Sequence, residues 1–284
     1  MILGMLKDGT AVALDAVPDA DGVGATTLAS AGYDATLDDL VQAGVPSDFH
    51  NALAGARRDV MVSASDLAAP LRRPPKIVAI GLNYQDHASE SEMELPSHPL
   101  VFTKFSSAIV GPTDEIVLPE HLTKEVDFEV ELAVIIGTTA RDVPRELALD
   151  HVFGYTVLND ISARDMQFSD QQWVRAKSLD TFCPLGPVIV TADEVPDPQD
   201  LHLFCSVNGV TMQDANTRDM IFAVADLVSI LSASFTLEPG DVIASGTPSG
   251  VGFARKPPVY LRGGDDVVTG VDGIGQLRNR VRAI

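Results

Sequence analysis

The chain has 284 residues, 45% of them hydrophobic and 21% charged, which excludes extended disorder and collagen-like structure. Twenty basic residues against forty acidic ones give a formal charge of −20, which argues against nucleic acid or an anionic membrane as a partner. There is no apolar run of 18 residues or more and there are only two cysteines, so a transmembrane helix, a disulfide framework and a four-cysteine zinc site are excluded.

Residues 1–20 show no basic flank followed by an apolar block, so no secretory signal is expected and the expected compartment is the cytoplasm. Residues 1–70 are rich in Ala, Asp, Gly and Val, with a strand-like run at 11–16. Two short helices are predicted there, at 37–43 and 48–53, with Asp48 as the N-cap of the second. Pro70, Pro74 and Pro75 then mark a boundary. It divides the chain into a small N-terminal domain, 1–70, and a larger domain, 71–284. From Lys76 onwards, short apolar runs broken by Gly, Pro and Asn predict strands at 77–80, 100–102, 130–136, 154–158, 188–191, 203–207, 242–244 and 259–261. One amphipathic helix is predicted at 221–232, with Phe222, Val224, Leu227, Val228 and Leu231 as its apolar face. Strands do not alternate with long helices, which argues against a Rossmann fold or a parallel barrel and for a β-rich α+β domain.

Five segments carry candidate chemistry. In 81–90, His87 and Glu90 stand three residues apart, neighbours on a helical turn. A carboxylate beside an imidazole orients it and raises its basicity, which suits a base that activates water. The polar, proline-bounded stretch 91–97 reads as a lid or a plain loop. In 125–136, alternation places Glu125, Asp127, Glu129 and Glu131 on one face of a strand that then turns apolar on both faces. Carboxylates entering a buried strand need compensation, and a bound cation supplies it; a solvated acidic face is the competing reading. In 154–165, a strand ends at Asn159 and Asp160, making Asp160 a further oxygen ligand or an N-cap for the turn that follows, while Arg164 and Asp165 read as a local ion pair. Oxygen donors without His or Cys suit magnesium, manganese or calcium rather than zinc. Only six lysines are present; Lys104 ends a strand, and Lys177 lies in 173–187, where a cation would stabilise an anionic intermediate. Finally, 239–252 is a strand entering a glycine-rich loop without Walker spacing, which suits close backbone approach to a small ligand, with Thr247 as a hydrogen-bond donor.

Taken in this order, the segments 81–90, 102–104, 127–137, 159–167, 177–187, 207–222 and 239–252 resemble the fumarylacetoacetate hydrolase family over about residues 76–284. The runs 173–187 and 255–260 are most similar to those of the domain-containing 2 and hydroxyheptadienedioate isomerase-like members. The resemblance implies a mixed β-roll or β-sandwich catalytic domain after the small N-terminal one, usually as a homodimer. It implies that Glu129, Glu131 and Asp160 hold one magnesium or manganese ion, that His87 and Glu90 form a water-polarising dyad, and that Lys177 stands beside the metal. Thr247, Lys104 and Gln167 are implied as substrate-binding positions, Thr247 against a carboxylate.

The expected activity is hydrolysis of a carbon–carbon bond in an acylpyruvate-type β-diketo or 2-oxo acid through a metal-stabilised enolate. The same enolate would serve an oxaloacetate tautomerase or decarboxylase, or a hydroxyheptadienedioate isomerase. A metal-stabilised binding protein without turnover is the reading from a different class. A paired-carboxylate glycosidase does not fit, because two acids on one strand face cannot flank a substrate from opposite sides.

Overall fold

The computed structural model describes residues 1–90 and 95–284. Its main sheet runs in the order Val60–Val62, Val23–Thr27, Ala11–Leu14, Ile2–Leu6, Cys183–Thr191, Val152–Asn159, Val130–Ile136, Val242–Ala244, Ile77–Gly81, Leu100–Thr103. Neighbours along this path are antiparallel except Val242–Ala244 with Ile77–Gly81. A second sheet packs Val210–Asn216, His202–Val207, Asp266–Val271, Gly275–Ala283 and Ile116–Leu118 side by side. The architecture is the β-rich mixed α+β fold that the sequence predicts. No described helix is long and apolar enough to cross a membrane.

Val130–Ile136 is buried along its whole length and shows why its sequence is apolar on both faces. Val130, Leu132, Val134 and Ile136 enter one hydrophobic cluster, while Ala133 and Ile135 enter another on the opposite side. Glu131 shares the face of Ala133 and Ile135. Its strand therefore carries a carboxylate straight into the interior. Val130 pairs with Asn159 and Ala133 with Ala244, so three strand ends meet at one edge of the sheet.

Several local expectations shift. The predicted helix at 221–232 forms at Val224–Ser234 instead. The Ile221 amide donates to Asn83 O at 2.7 Å and the Phe222 amide to Asn83 Oδ1 at 2.8 Å, which keeps both residues out of the helix. The helix at 37–43 is present and Thr36 caps it, accepting from the Asp39 amide at 3.1 Å. Asp48 does not cap Phe49–Gly55; its carboxylate accepts from the Tyr33 hydroxyl at 3.0 Å. Asp160 caps no helix either, since the turn Arg164–Ser169 begins after Ala163. Residues 259–261 form no strand; Val259 and Leu261 donate single bonds to Gly252 O and Val126 O.

Asn83 ties these parts together. Fully buried, it donates to Phe222 O at 3.0 Å and to Ser245 O at 2.7 Å. Gly246 sits at φ +99°, and a Cβ there would lie 2.7 Å from the Asn83 Cβ, so glycine permits both the turn and the approach. Replacing Asn83 with Ala strands these buried backbone groups. We expect about 3 kcal/mol of destabilisation, read as a lower urea midpoint.

Candidate active site

At the shared sheet edge, one oxygen from each of Glu129, Glu131 and Asp160 lies within 4.8 Å of the others, and all three residues are buried. Glu129 precedes its strand, Glu131 is the second residue of that strand, and Asp160 follows Val152–Asn159. The Asp160 amide donates to Glu129 O at 2.8 Å, which locks the two segments together. The Asn159 side chain accepts from the Glu129 amide at 3.0 Å.

Three cations answer these carboxylates. Lys177 Nζ lies 2.6 Å from Glu129 Oε2 and 2.8 Å from Asp160 Oδ2. Arg164 donates to Asp127 Oδ2 at 2.9 Å, Glu129 Oε1 at 2.5 Å and Gln167 Oε1 at 2.8 Å. Lys104 Nζ lies 2.5 Å from Asp160 Oδ1 and also donates to the backbone carbonyls of Lys177 and Ile161. Asp127, Glu129, Glu131 and Asp160 thus outnumber Arg164, Lys104 and Lys177 by one.

Glu131 carries the imbalance. Burial drives its carboxyl well above the ordinary glutamate range, and Asp160 and Glu129 push the same way. Burial also acts to raise Glu129, but Arg164, Lys177 and His87 outweigh it and hold that carboxyl at about 2. Lys177 is raised: burial opposes its charge, and Asp160 and Glu129 more than offset it. Glu131 receives only the Gly246 amide, at 3.0 Å, and keeps one oxygen without a hydrogen-bond partner among the described residues. An all-oxygen donor set with surplus negative charge fits a hard divalent cation. Such an ion would turn the local excess of one negative charge into one positive charge, and an anionic ligand could then enter a protein of charge −20.

A small pocket, with a cavity volume of about 30 Å³, opens above this floor. Glu129, Glu131, Arg164 and Lys177 line its base, and His87, Gln167 and Thr247 flank it. His87 Nδ1 lies 2.8 Å from Glu90 Oε1. The Gly250 amide donates to Glu90 Oε2 at 2.9 Å, so the dyad is fastened to the glycine-rich loop. Thr247 donates its hydroxyl proton to Val130 O at 2.9 Å and accepts from Gln213 Nε2 at 2.8 Å. Lys104 lies beneath the floor and does not line the pocket.

Arg164 and Asp165 are not the local pair that their adjacency suggests. Arg164 turns inward, while Asp165 accepts from the Thr123 hydroxyl at 2.6 Å and the Lys124 amide at 2.9 Å. Asp127 was one of four equivalent acids in the sequence pattern. In the structure it holds Arg164 and accepts from the Gly252 and Phe253 amides at 2.7 and 3.0 Å. Glu125 stays at the rim, with the Tyr260 hydroxyl 3.3 Å away. Of the stretch 91–97 expected as a lid or a loop, residues 91–94 lie outside the described residues.

The comparisons agree on one lineage. Residues 76–282 match the model described as fumarylacetoacetate (FAA) hydrolase C-terminal. The chain is 48% identical over 215 residues to a mitochondrial oxaloacetate tautomerase of Homo sapiens, covering 75% of this chain and 68% of that one. It superposes on the maleylpyruvate hydrolase of Sphingobium sp. SYK-6, solved with manganese(II) and pyruvate, with a TM-score of 0.79 and 33% identity, covering 100% and 99% of the chains. It also superposes on 2-hydroxyhepta-2,4-diene-1,7-dioate isomerase from Mycobacterium marinum, with a TM-score of 0.72 and 37% identity, covering 100% and 98%.

Two outcomes test the floor. Glu131→Gln removes the surplus charge, so the chelator-treated variant should melt above the wild type at neutral pH. A carboxyl raised in the folded state is penalised once the unfolded chain ionises, so this gain should vanish as pH falls towards the ordinary glutamate value of 4.5. The same variant should lose the rise in melting temperature that millimolar manganese gives the wild type. Differential scanning fluorimetry reads both.

Proposed function

The chain belongs to the fumarylacetoacetate hydrolase family, and from that premise we propose that it hydrolyses the carbon–carbon bond of an acylpyruvate-type 2-oxo acid. As an enzyme of this family it has relatives named as hydrolase, isomerase and tautomerase. The observation that carries the hydrolase reading is that His87, held by Glu90, lines one pocket with Glu129 and Glu131 of a buried carboxylate triad. Activating water is what distinguishes hydrolysis from enolisation on the same platform.

Glu129, Glu131 and Asp160 would hold a magnesium or manganese ion, whose chemistry is to polarise the 2-oxo acid and stabilise its enolate. Glu90 holds Nδ1 of His87, which leaves Nε2 free to take a proton from water. The hydroxide so formed attacks the distal carbonyl. The bond between that carbonyl carbon and the adjacent methylene breaks, and its electron pair stays with the pyruvate fragment. The Lys177 ammonium, already between Glu129 and Asp160, answers the charge as it develops. Arg164 and Gln167, bonded to one another, orient the carboxylate end. Thr247, which lines the pocket, offers its remaining lone pair there, and Lys104 acts from outside it by fixing Asp160. The exposed edge strand Leu100–Thr103 leaves room for a homodimer contact. Cys183 and Cys205 are free buried thiols, which suits a reducing compartment such as the cytoplasm.

A second reading has its own support: 48% identity to an oxaloacetate tautomerase favours enolisation without bond cleavage. A panel of acetylpyruvate, fumarylpyruvate, oxaloacetate and a hydroxyheptadienedioate, with manganese and with EDTA, separates the two. We expect metal-dependent cleavage of acetylpyruvate. His87→Ala should lower that cleavage by about 100-fold or more while oxaloacetate enolisation persists. Retained cleavage in His87→Ala would refute the dyad, and enolisation without any cleavage would establish the tautomerase.

A further inference from the structure

Gln213 reaches Thr247 from the second sheet, on the strand Val210–Asn216, and is fully buried. Its two side-chain ends are told apart by backbone groups that can each play only one part. The Val130 amide, a donor, lies 3.0 Å from one of them, which is therefore Oε1. The Pro248 carbonyl, an acceptor, lies 2.9 Å from the other, which is therefore Nε2. Nε2 also lies 2.8 Å from Thr247 Oγ1, so the Thr247 hydroxyl accepts there. Its own proton goes to Val130 O at 2.9 Å. Turning that proton towards a ligand would break a buried bond at the head of a strand that is buried throughout. One lone pair of Oγ1 is left over, and Thr247 lines the same small cavity as Glu129 and Glu131.

We propose that Gln213 is a positioning residue that fixes the Thr247 hydroxyl as a hydrogen-bond acceptor towards the pocket, so that the ligand group beside it is a hydroxyl and not a carboxylate. The proposal deepens the 2-oxo acid reading above and rests on it. The resemblance sets a carboxylate against Thr247, but two acceptors have no proton to share and repel one another. An enol hydroxyl is a donor and fits, and a β-diketo acid carries one in its enol form. Gln213 acts on the ligand only through Thr247. Its bonds to Val130 and Pro248 tie the strand that carries Glu131 to the glycine-rich loop, so backbone groups set the polarity before any ligand enters.

Isothermal titration of the full-length, manganese-loaded protein tests this without requiring turnover. The probes are lactate and pyruvate, three-carbon monoanions that differ only in a donating hydroxyl or an accepting oxo group at the second carbon. Thr247→Val should weaken lactate about fivefold, the worth of one neutral hydrogen bond, and leave pyruvate unchanged. Thr247→Ser, which keeps the hydroxyl, should bind lactate as the wild type does. Gln213→Met should reproduce the split between the two acids, and adding it to Thr247→Val should cost nothing more, as expected of a residue that acts through its neighbour. Gln213→Leu is the companion variant should the methionine impair folding. Equal weakening of both acids by either change would mean a carboxylate at the hydroxyl or a general loss of shape, and would overturn this proposal alone. Lactate binding left intact by Thr247→Val, or a wild type that binds pyruvate but not lactate, would do the same. Failure of the wild type to bind pyruvate would overturn both the proposal and the 2-oxo acid reading beneath it.

Discussion

Everything at this sheet edge depends on burying carboxylates that cannot be neutralised by water. Four acids converge where three strands end, and each is almost wholly excluded from solvent. Isolated charges at such depth would take up protons. Arg164, Lys104 and Lys177 prevent that for most of the cluster, and each is fixed by more than one partner. Glu131 is the least compensated member: the Lys177 charge and one amide help it, but burial and two carboxylate neighbours outweigh them. The fold therefore concentrates its electrostatic strain on a single oxygen donor, and that is where a cation does most good.

The same carboxylates also organise the backbone. Asp127 receives the amides of Gly252 and Phe253 as well as the Arg164 side chain. Glu90 receives the Gly250 amide while it orients His87. One glycine-rich loop is thus held at two points by acids from opposite sides of the pocket. Phe253, just after that loop, lines the pocket. The aromatic lining is tied to the same frame, since the Arg164 guanidinium lies 4.5 Å over the Phe253 ring and Lys177 Nζ 5.2 Å over Phe102.

The strand pattern was legible because burial leaves a periodic mark. Val130–Ile136 and Val242–Ala244 were readable to the residue, since apolar runs bounded by acids or glycine have few other solutions. The helix start at Val224 was not, because it is set by Asn83, a partner far back in the chain. Alternation ranked Glu125, Asp127, Glu129 and Glu131 equally, and only the resemblance separated them. What distinguishes Asp127 is Arg164, 37 residues on, and no local signal announces a buried guanidinium. The adjacency of Arg164 and Asp165 pointed the wrong way, since a side chain's direction follows the turn it sits on and not its neighbour's charge. The aromatic lining was equally hidden, because Phe102 and Trp173, and Phe168 and Phe253, are brought together only by the tertiary fold.

The parallel contact between Ile77–Gly81 and Val242–Ala244 has a consequence for how the molecule comes into being. The Asn83 and Ser245 groups that join these segments are 162 residues apart. Closing so long a stretch of chain is slow, because its entropy is lost before the contact gives anything back. During synthesis, Glu129 and Glu131 leave the ribosome well before the loop that completes their surroundings. A nascent chain therefore carries the acids for some time without the backbone amides of Gly246 and Phe253. The centre matures last, when the C-terminal third arrives, and truncated products of translation would hold the charges but not the pocket.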